Sequence, residues 1–190
     1  MIPQADATGM DTNRARQVAQ ESGVDIFACY QCEKCTNGCP VTFAMDLLPH
    51  AVLRMAQLGM TQELETAKTP WVCASCETCR TRCPNQIDIP RLMDWLKRDS
   101  LSRGQKPVEA SVYAFHAAFL NNVARYGRVQ ETALMSNFEK RSALSGQLPG
   151  VRELYNNIKL GTKMLAKGRL SLVPKKAKAS GRVSKLFSKD

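Results

Sequence analysis

The sequence lacks the features that mark several common classes of protein. Aromatic residues make up only 6% of its 190 residues, which does not favour a large β-sandwich or barrel, because aromatic side chains are enriched in strands. No segment approaches the roughly eighteen uninterrupted apolar residues that a membrane span needs. The N-terminal segment has no apolar core behind a basic start, so it does not resemble a secretory signal. We therefore expect a soluble, cytoplasmic protein without a membrane span.

Motifs for catalysis and for nucleotide binding are also missing. The sequence contains no G-x-G-x-x-G fingerprint and no P-loop, so neither a nucleotide nor a flavin has a predicted site. Of the two histidines, His50 is predicted to lie on a helix surface or at the edge of the core, and His116 to pack within an apolar helix. Because no nucleophile, base and oxyanion donor can be grouped, we expect no catalytic residues in this chain.

Charge is distributed unevenly along the chain. The formal net charge is +10, yet residues 159–190 carry ten lysines and arginines against one acid, whereas the preceding residues are nearly neutral. A solvated tail is the first interpretation of this basic end. Docking on an acidic partner is the alternative, with Val183, Leu186 and Phe187 as apolar anchors. Nucleic acid is not an expected partner, because no reader motif accompanies the basic residues.

The eight cysteines form two runs of four with identical spacing. Each run follows the pattern C-x2-C-x2-C-x3-C-P, and equivalent positions are separated by 44 residues. The first run contains Cys29, Cys32, Cys35 and Cys39, and the second contains Cys73, Cys76, Cys79 and Cys83. This is the spacing of bacterial proteins that hold iron–sulfur clusters. The repeat therefore predicts two [4Fe–4S] clusters as cofactors.

The spacing also predicts which cysteines share a cluster. Three thiolates two residues apart on a tight loop can each reach a different iron of one cubane, while the fourth points away where the chain turns at proline. In two-cluster proteins of this type, the fourth cysteine of each run completes the other cluster. The predicted ligands are Cys29, Cys32, Cys35 and Cys83 for cluster 1, and Cys73, Cys76, Cys79 and Cys39 for cluster 2. Such crossed ligation makes metal binding part of the folding free energy.

Two other roles for the cysteines remain open. Four disulfides are disfavoured by the missing secretory signal and by a reducing cytosol. Structural zinc normally uses two C-x2-C pairs separated by a longer gap, which leaves the third cysteine of each run without a role.

Bound clusters would also change the net charge of the protein, because each oxidised cluster with its four thiolates carries about −2. The cluster-binding part then becomes acidic while the tail stays basic.

The sequence predicts helices throughout and no convincing strand. Caps, glycines and apolar spacing indicate helices over residues 11–22, 49–59, 61–68, 88–104 and 107–127, and a later one around Ile158. The 33 residues between the two runs exceed what a compact β-hairpin ferredoxin would use. The predicted fold class is therefore all-α. Its parts are an α-helical two-cluster ferredoxin domain at 10–104, a helical C-terminal extension at 105–172 and a basic C-terminal tail at 173–190.

Four residues within or beside the runs are candidates for adjusting the reduction potential of the clusters or their exposure to water. Lys34, Arg80 and Arg82 lie inside the runs, where a positive charge raises the reduction potential of a cluster. The alternative is that these long cations simply reach solvent. Trp71 precedes the second run by two residues, where it either shields a cluster from water or packs in the core.

Beyond the cysteines, the sequence resembles the C subunit of heterodisulfide reductase and its bacterial relatives. The resemblance lies in CYQCEKCTNGCPVTFAMDLLPHAVLRMAQLG and WVCASCETCRTRCPNQIDIPRLMDWLK, and in the later segments FHAAFLNNVARYGRVQE and LGTKMLAKGRLSLVPKKAKASGRVSKLF. It extends over about residues 15–188. The cysteine runs alone are shared with iron–sulfur subunits of glycerol-3-phosphate, lactate and succinate dehydrogenases, so the later segments narrow the choice. One departure is Glu33, at a position where the family often has glycine.

The resemblance implies a non-catalytic role in electron transfer within an oxidoreductase complex. In this family the C subunit relays electrons between a flavin-containing subunit (type A) and a cysteine-rich subunit (type B), where a disulfide is reduced or formed. The implied assembly is a hetero-oligomeric complex of sulfur metabolism that carries out disulfide reduction or sulfane-sulfur oxidation. A relay subunit of another dehydrogenase, of the glycerol-3-phosphate or lactate type, is the alternative. A third hypothesis is a zinc-stabilised protein whose basic tail binds nucleic acid.

Overall fold

In the computed structural model of the protein, residues 10–144, 151–168 and 176–187 are described. Within these ranges the chain is helical and contains no strand, as the sequence predicts. The chain divides into two compact units, residues 1–109 and residues 110–190. None of the helices in the described ranges is both long and apolar enough to cross a membrane.

The first unit is built from seven α-helices and two 3₁₀ turns among its described residues. The α-helices are α1 (Thr12–Ser22), α2 (Lys34–Asn37), α3 (Pro49–Leu58), α4 (Thr61–Glu65), α5 (Thr69–Val72), α6 (Thr78–Arg82) and α7 (Ile89–Ser102), and the 3₁₀ turns are Ile26–Ala28 and Thr42–Ala44. The predicted helices at 11–22, 49–59, 61–68 and 88–104 are confirmed as α1, α3, α4 and α7. The remaining three are about one turn long, too short to show a helical period in the sequence.

The start of α1 and the end of α3 are set by one tight contact. The Asp11 carboxylate caps α1 by accepting hydrogen bonds from the N–H groups of Asn13 and Arg14 at 2.9 and 3.0 Å. The Asp11 N–H in turn donates to the Leu58 carbonyl at 3.0 Å. Gly59 ends α3 with φ 74°, and a Cβ at this position would lie 1.9 Å from the Asp11 carbonyl oxygen. Glycine is therefore required here both by conformation and by space.

The apolar core of the first unit lies between α1, α3, α4 and α7. Its largest fully buried apolar side chains include Val18, Ile26, Val52, Leu53, Leu64, Ile89, Leu92, Met93 and Leu96. Cysteines of both runs pack against this core, and Cys35 is buried within it. The helices therefore support the cysteine runs with an apolar surface that removes water from one side of them.

A buried ionic network joins α1, α4 and α7. The Arg14 guanidinium pairs with Asp99 and lies 3.9 Å from a carboxylate oxygen of Glu65, with the Trp95 ring 5.4 Å away. Arg103 approaches the same Glu65 oxygen at 3.2 Å. Because Glu65 is only 6% exposed, its charge depends on these partners rather than on water.

The second unit contains four helices among its described residues. They are α8 (Ala110–Tyr126), α9 (Glu131–Leu144), α10 (Val151–Ala166) and α11 (Ser180–Phe187). Asn122 closes the turn between α8 and α9, because its amide donates to the Gln130 carbonyl at 3.0 Å and its oxygen accepts from the Gln130 N–H at 2.7 Å. The helices predicted at 107–127 and around Ile158 are confirmed as α8 and α10, whereas the sequence does not predict α9.

The buried face of α8 is not its most apolar face. The apolar spacing over residues 112–123 predicts the helix, but its buried residues are Ala114, Ala118 and Asn122. Two of these side chains are small, which lets neighbouring helices approach α8 closely. His116 lies on the same helix and is exposed, so the prediction that it packs within an apolar helix is wrong.

The described part of the predicted basic tail forms α11, which packs against α8. The Ala177 N–H donates to the Tyr126 carbonyl at 2.8 Å. Gly127 has φ 70°, and a Cβ there would lie 2.8 Å from the Ser180 Cα. Residues 176–187 therefore include an ordered helix, but their basic side chains Lys178, Arg182 and Lys185 are exposed, as the interpretation as a solvated tail expects.

Candidate iron–sulfur centre

The two cysteine runs repeat the same backbone conformation at equivalent positions. Gln31 and Glu33 of the first run both have φ 62°, and their equivalents Ser75 and Glu77 have φ 49° and 61°. In each run one left-handed residue precedes and one follows the second cysteine, and the chain then enters α2 or α6, which carries the third cysteine. Left-handed residues sharply redirect the chain, so the alternation curls each run into a tight loop.

The left-handed conformation gives a physical reason for glycine at the position of Glu33. This conformation costs a residue with a Cβ about 1–2 kcal/mol, whereas glycine adopts it without that cost. Glu77, at the equivalent position of the second run, has nearly the same φ. The chain therefore keeps the loop conformation with glutamate at both positions, and the packed helices that follow hold the strained residues in place.

Helices α2 and α6 pack against each other and bring the two runs together. They carry the third cysteine of each run, Cys35 and Cys79. Burial raises the pKa of Cys79 to about 12, and the charges of Cys73 and Cys35 add to this effect. Burial also raises the pKa of Cys35, with a further contribution from Cys29. The cysteines of both runs therefore form one continuous region.

Each run also lies close to the fourth cysteine of the other run. Burial raises the pKa of Cys73, and the charge of Cys39 is among the groups that add to the increase. The pKa of Tyr30 is raised by desolvation first, and then by Cys32 and by Cys83 of the second run. Cys39 is thus a neighbour of the second run, and Cys83 is a neighbour of the first.

The thiols differ in their access to solvent, and the two runs agree at every position except the third cysteine. Cys32 and Cys76, the second cysteine of each run, are exposed, Cys35 is buried, and the other five are partly buried. All eight cysteines are free thiols without a disulfide. A set of eight thiols in one region fits the eight ligands that two [4Fe–4S] clusters require.

The thiols do not converge as the ligands of a single metal ion do. Among the described residues, no three cysteine, histidine or carboxylate side chains are grouped closely enough to share one ion. A zinc ion holds its sulfur ligands about 2.3 Å from one centre. The thiolates of a cubane each bind a different iron, so they lie farther apart.

Hydrogen bonds to sulfur occur in both runs. The backbone N–H and side-chain amide of Gln31 donate to the Cys29 sulfur at 3.4 and 3.3 Å. The Cys76 sulfur lies 3.4 Å from the Thr78 hydroxyl, and hydrogen bonds from Thr78 lower the pKa of Cys76. The lowered pKa of Cys76 favours its thiolate, which is the form that binds metal.

Two polar residues of α3 hold the first run in place. The Gln57 amide donates to the carbonyls of Ile26 and Cys29 at 2.8 and 2.9 Å. His50 is buried, with Nδ1 at 2.8 Å from the hydroxyl of Thr36, the residue that follows Cys35. This hydrogen bond connects His50 in α3 to Thr36 in α2. The His50 side chain is buried and does not lie on a helix surface.

The other predicted residues have different environments. Trp71 is buried at 4% exposure, and Lys34 is exposed. Arg80 pairs with Asp88 at 3.2 Å and lies 3.9 Å from Glu77. Sequence reasoning does not find Gln31 or Gln57, because only their contacts in the folded chain reveal their roles.

Comparison with known proteins supports the same chemistry. Residues 28–88, which include both runs, match the family described as a 4Fe-4S dicluster domain. The chain is 34% identical over 70 residues to the iron-sulfur C subunit of the CoB–CoM heterodisulfide reductase of Methanopyrus kandleri, covering 37% of this chain and 36% of the relative. It is 24% identical over 107 residues to the C subunit of the H2:CoB–CoM heterodisulfide,ferredoxin reductase of Methanothermobacter marburgensis, covering 56% and 58%. The chain thus spans about a third to three-fifths of the length of these relatives.

The fold and the cysteine region define an iron–sulfur electron-transfer protein that holds two [4Fe–4S] clusters. The resemblance to the C subunit of heterodisulfide reductase is confirmed by several relatives that carry this name. The ligand set of each individual cluster stays a prediction from the cysteine spacing.

Proposed function

We propose that this chain is the electron-transfer subunit of a complex similar to heterodisulfide reductase. It relays electrons between a flavin-containing subunit (type A) and a cysteine-rich subunit (type B), and the complex carries out disulfide reduction or sulfane-sulfur oxidation. The observation that carries the proposal is the similarity to C subunits of heterodisulfide reductases, together with the 4Fe-4S dicluster domain match over residues 28–88. In this proposal the chain transfers electrons and its partners perform the chemistry on sulfur.

The proposed ligands follow the crossed pattern. Cluster 1 takes Cys29, Cys32, Cys35 and Cys83, and cluster 2 takes Cys73, Cys76, Cys79 and Cys39. The pattern is supported by the electrostatic effect of Cys39 on Cys73 and of Cys83 on Tyr30. Since every cluster then has ligands from both runs, cluster loss should unfold both loops together.

The arrangement of the thiols suits a relay. When bound, each [4Fe–4S] cluster accepts and releases electrons at a potential set by its surroundings. Cys32 and Cys76 leave one ligand of each set open to solvent, where a partner can approach closely. Cys35 and Cys79 lie on the packed helices α2 and α6, which keep the two sets adjacent inside the protein. With clusters bound, Cys32 and Cys76 would give each cluster a ligand that a redox partner could approach from solvent.

The experiment that tests this function is anaerobic purification of the tagged chain from its native host. We expect a flavoprotein and a cysteine-rich subunit to co-purify in fixed stoichiometry, as identified by mass spectrometry. A strain that expresses the tag alone controls for nonspecific capture. Stoichiometric recovery of a glycerol-3-phosphate or lactate dehydrogenase, without the type A flavoprotein and the type B cysteine-rich partner, would contradict the proposal while leaving the two clusters in place.

A further inference from the structure

Gly38 and Arg82 occupy the same position in the two cysteine runs, although their side chains differ completely. Each residue directly precedes the fourth cysteine of its run, Cys39 or Cys83, and the two positions are 44 residues apart. The repeat is therefore asymmetric at this point, with no side chain in one run and a long cationic side chain in the other.

The structure explains this asymmetry by a direct contact. A Cβ on Gly38 would lie 2.3 Å from Cδ and 2.7 Å from Nε of Arg82. Gly38 itself has φ −99° and ψ −8°, which any residue adopts. A side chain at residue 38 would therefore displace the end of Arg82, because the Arg82 side chain crosses from the second run and lies over the backbone of the first.

The charge of Arg82 is not neutralised by a neighbouring carboxylate. In the part of the chain that the structure describes, no ion pair involves Arg82, whereas Arg80, on the same helix, pairs with Asp88 and Glu77. The guanidinium therefore places an unpaired positive charge between the backbone segments that carry Cys39 and Cys83.

We propose that Arg82, lying over Gly38, raises the reduction potentials of the two clusters. One-electron reduction makes each cluster with its four thiolates more negative, from about −2 to about −3. An adjacent positive charge stabilises the more negative state and so raises the potential. The Arg82 backbone directly precedes Cys83, a proposed ligand of cluster 1, and its side chain reaches Gly38, which directly precedes Cys39, a proposed ligand of cluster 2. Its charge therefore acts on both clusters. The inference rests on the two-cluster assignment in the proposed function, and not on the identity of the partners.

The test is a redox titration of the purified cluster-loaded protein, monitored by electron paramagnetic resonance. Arg82→Gln should shift the midpoint potentials downward, and Arg82→Lys, which keeps the charge, should stay closer to the wild type. Gly38→Ala keeps the charge but displaces it, so it should shift the potentials in the same direction by less. Arg16→Gln, which removes one exposed charge from α1, is the matched control and should leave the potentials unchanged. Because Arg82 is exposed, high salt should reduce the difference between Arg82→Gln and wild type.

Equal potentials in Arg82→Gln and Arg16→Gln, at equal iron and sulfide content, would overturn the inference. If Arg82→Gln binds less iron than the wild type, the titration of Gly38→Ala replaces it as the test. Midpoint potentials of Gly38→Ala equal to those of the wild type would then overturn the inference. The result is independent of the partner experiment, because the titration uses the isolated chain. Failure to recover the flavoprotein and the cysteine-rich partner would leave the role of Arg82 intact, and unchanged potentials would leave the relay proposal intact.

Discussion

Asp46 and Thr69 link the end of the first cysteine run to the approach of the second. The Asp46 carboxylate accepts hydrogen bonds from the N–H groups of Thr69 at 2.9 Å and Lys68 at 2.7 Å, and it lies 2.7 Å from the Thr69 hydroxyl. The same hydroxyl accepts the Leu47 N–H at 2.9 Å. Since Thr69 opens α5, which leads into Cys73, this contact positions one run relative to the other.

Replacing Asp46 with asparagine should destabilise the first unit. The substitution removes the charge that strengthens these hydrogen bonds, but Asp46 is itself exposed, so the free energy of unfolding should fall by about 1–1.5 kcal/mol. Urea denaturation of the anaerobic protein, followed by circular dichroism, measures the change. Asp94→Asn is the matched control, because Asp94 is 54% exposed in its ion pair with Lys97 and should contribute less than about 1 kcal/mol. An equal loss in the two variants would contradict the role of Asp46.

The contribution of Asp46 should depend on pH. Burial acts to raise its pKa, but hydrogen bonds from Lys68, Thr69 and Leu47 outweigh burial and hold the pKa below the ordinary value of 3.8. A carboxyl whose pKa is lower in the folded state stabilises the fold above its unfolded pKa, and this stabilisation is lost as pH falls through the folded pKa. The difference in urea midpoint between wild type and Asp46→Asn should therefore be constant near neutral pH and shrink below about pH 4. A constant difference down to about pH 3, below the ordinary pKa of 3.8, would argue against this.

Removing the Arg14 side chain should lower the stability of the first unit. Arg14→Met leaves Asp99 and Glu65 with fewer cationic partners, so the free energy of unfolding should fall by about 3 kcal/mol. The double variant Arg14→Met with Asp99→Met should recover part of this loss, because one unpaired charge is then absent. Arg16→Met, on the exposed face of the same helix, should change stability by about 0.5 kcal/mol or less. A double variant no more stable than Arg14→Met would count against the network.

Glycine at the left-handed positions should stabilise the loops. Glu33→Gly and Glu77→Gly remove a strain of about 1–2 kcal/mol, offset in part by the greater freedom of glycine in the unfolded chain. We expect a net gain of about 0.5–1 kcal/mol in urea denaturation for each variant. Glu21→Gly, within α1, should have the opposite sign, since glycine weakens a helix by about 1 kcal/mol. Destabilisation by Glu33→Gly would show that its contacts outweigh the strain.

Pairs of cysteine substitutions should reveal which thiols share a cluster. Cys29→Ser with Cys83→Ser changes two proposed ligands of cluster 1, so the protein should keep about half of its iron. Cys29→Ser with Cys39→Ser changes one proposed ligand of each cluster and should lose nearly all of it. Iron and sulfide analysis with electron paramagnetic resonance measures both outcomes. If the second pair keeps half of the iron and the first pair loses it, each run binds its own cluster.

Much of the cysteine site was predictable because its signals are local in the chain. The repeated spacing from Cys29 to Cys39 and from Cys73 to Cys83 reflects the number of residues between thiolates that one cubane can accept. Helices such as α1 and α7 were predictable because their caps and apolar periods also lie within a few residues. Helix α9 was missed since it has no comparable period.

Other features depend on contacts between distant segments. The crossing of Arg82 over Gly38 joins residues 44 positions apart, and neither residue differs locally from an ordinary surface arginine or glycine. The sequence likewise did not reveal which residues α8 buries, because larger apolar side chains on the same helix dominate its hydrophobic pattern.

By itself, the sequence determined the helical fold class and the two-cluster cofactor content, because helix periodicity and ligand spacing are local properties of the chain. Only the tertiary structure decided how Arg82 and Gly38 meet, how Asp46 holds Thr69, and which cysteines face solvent. The physical reason is that these relationships arise from packing between segments, where shape and burial, rather than the identity of a single residue, select the neighbours.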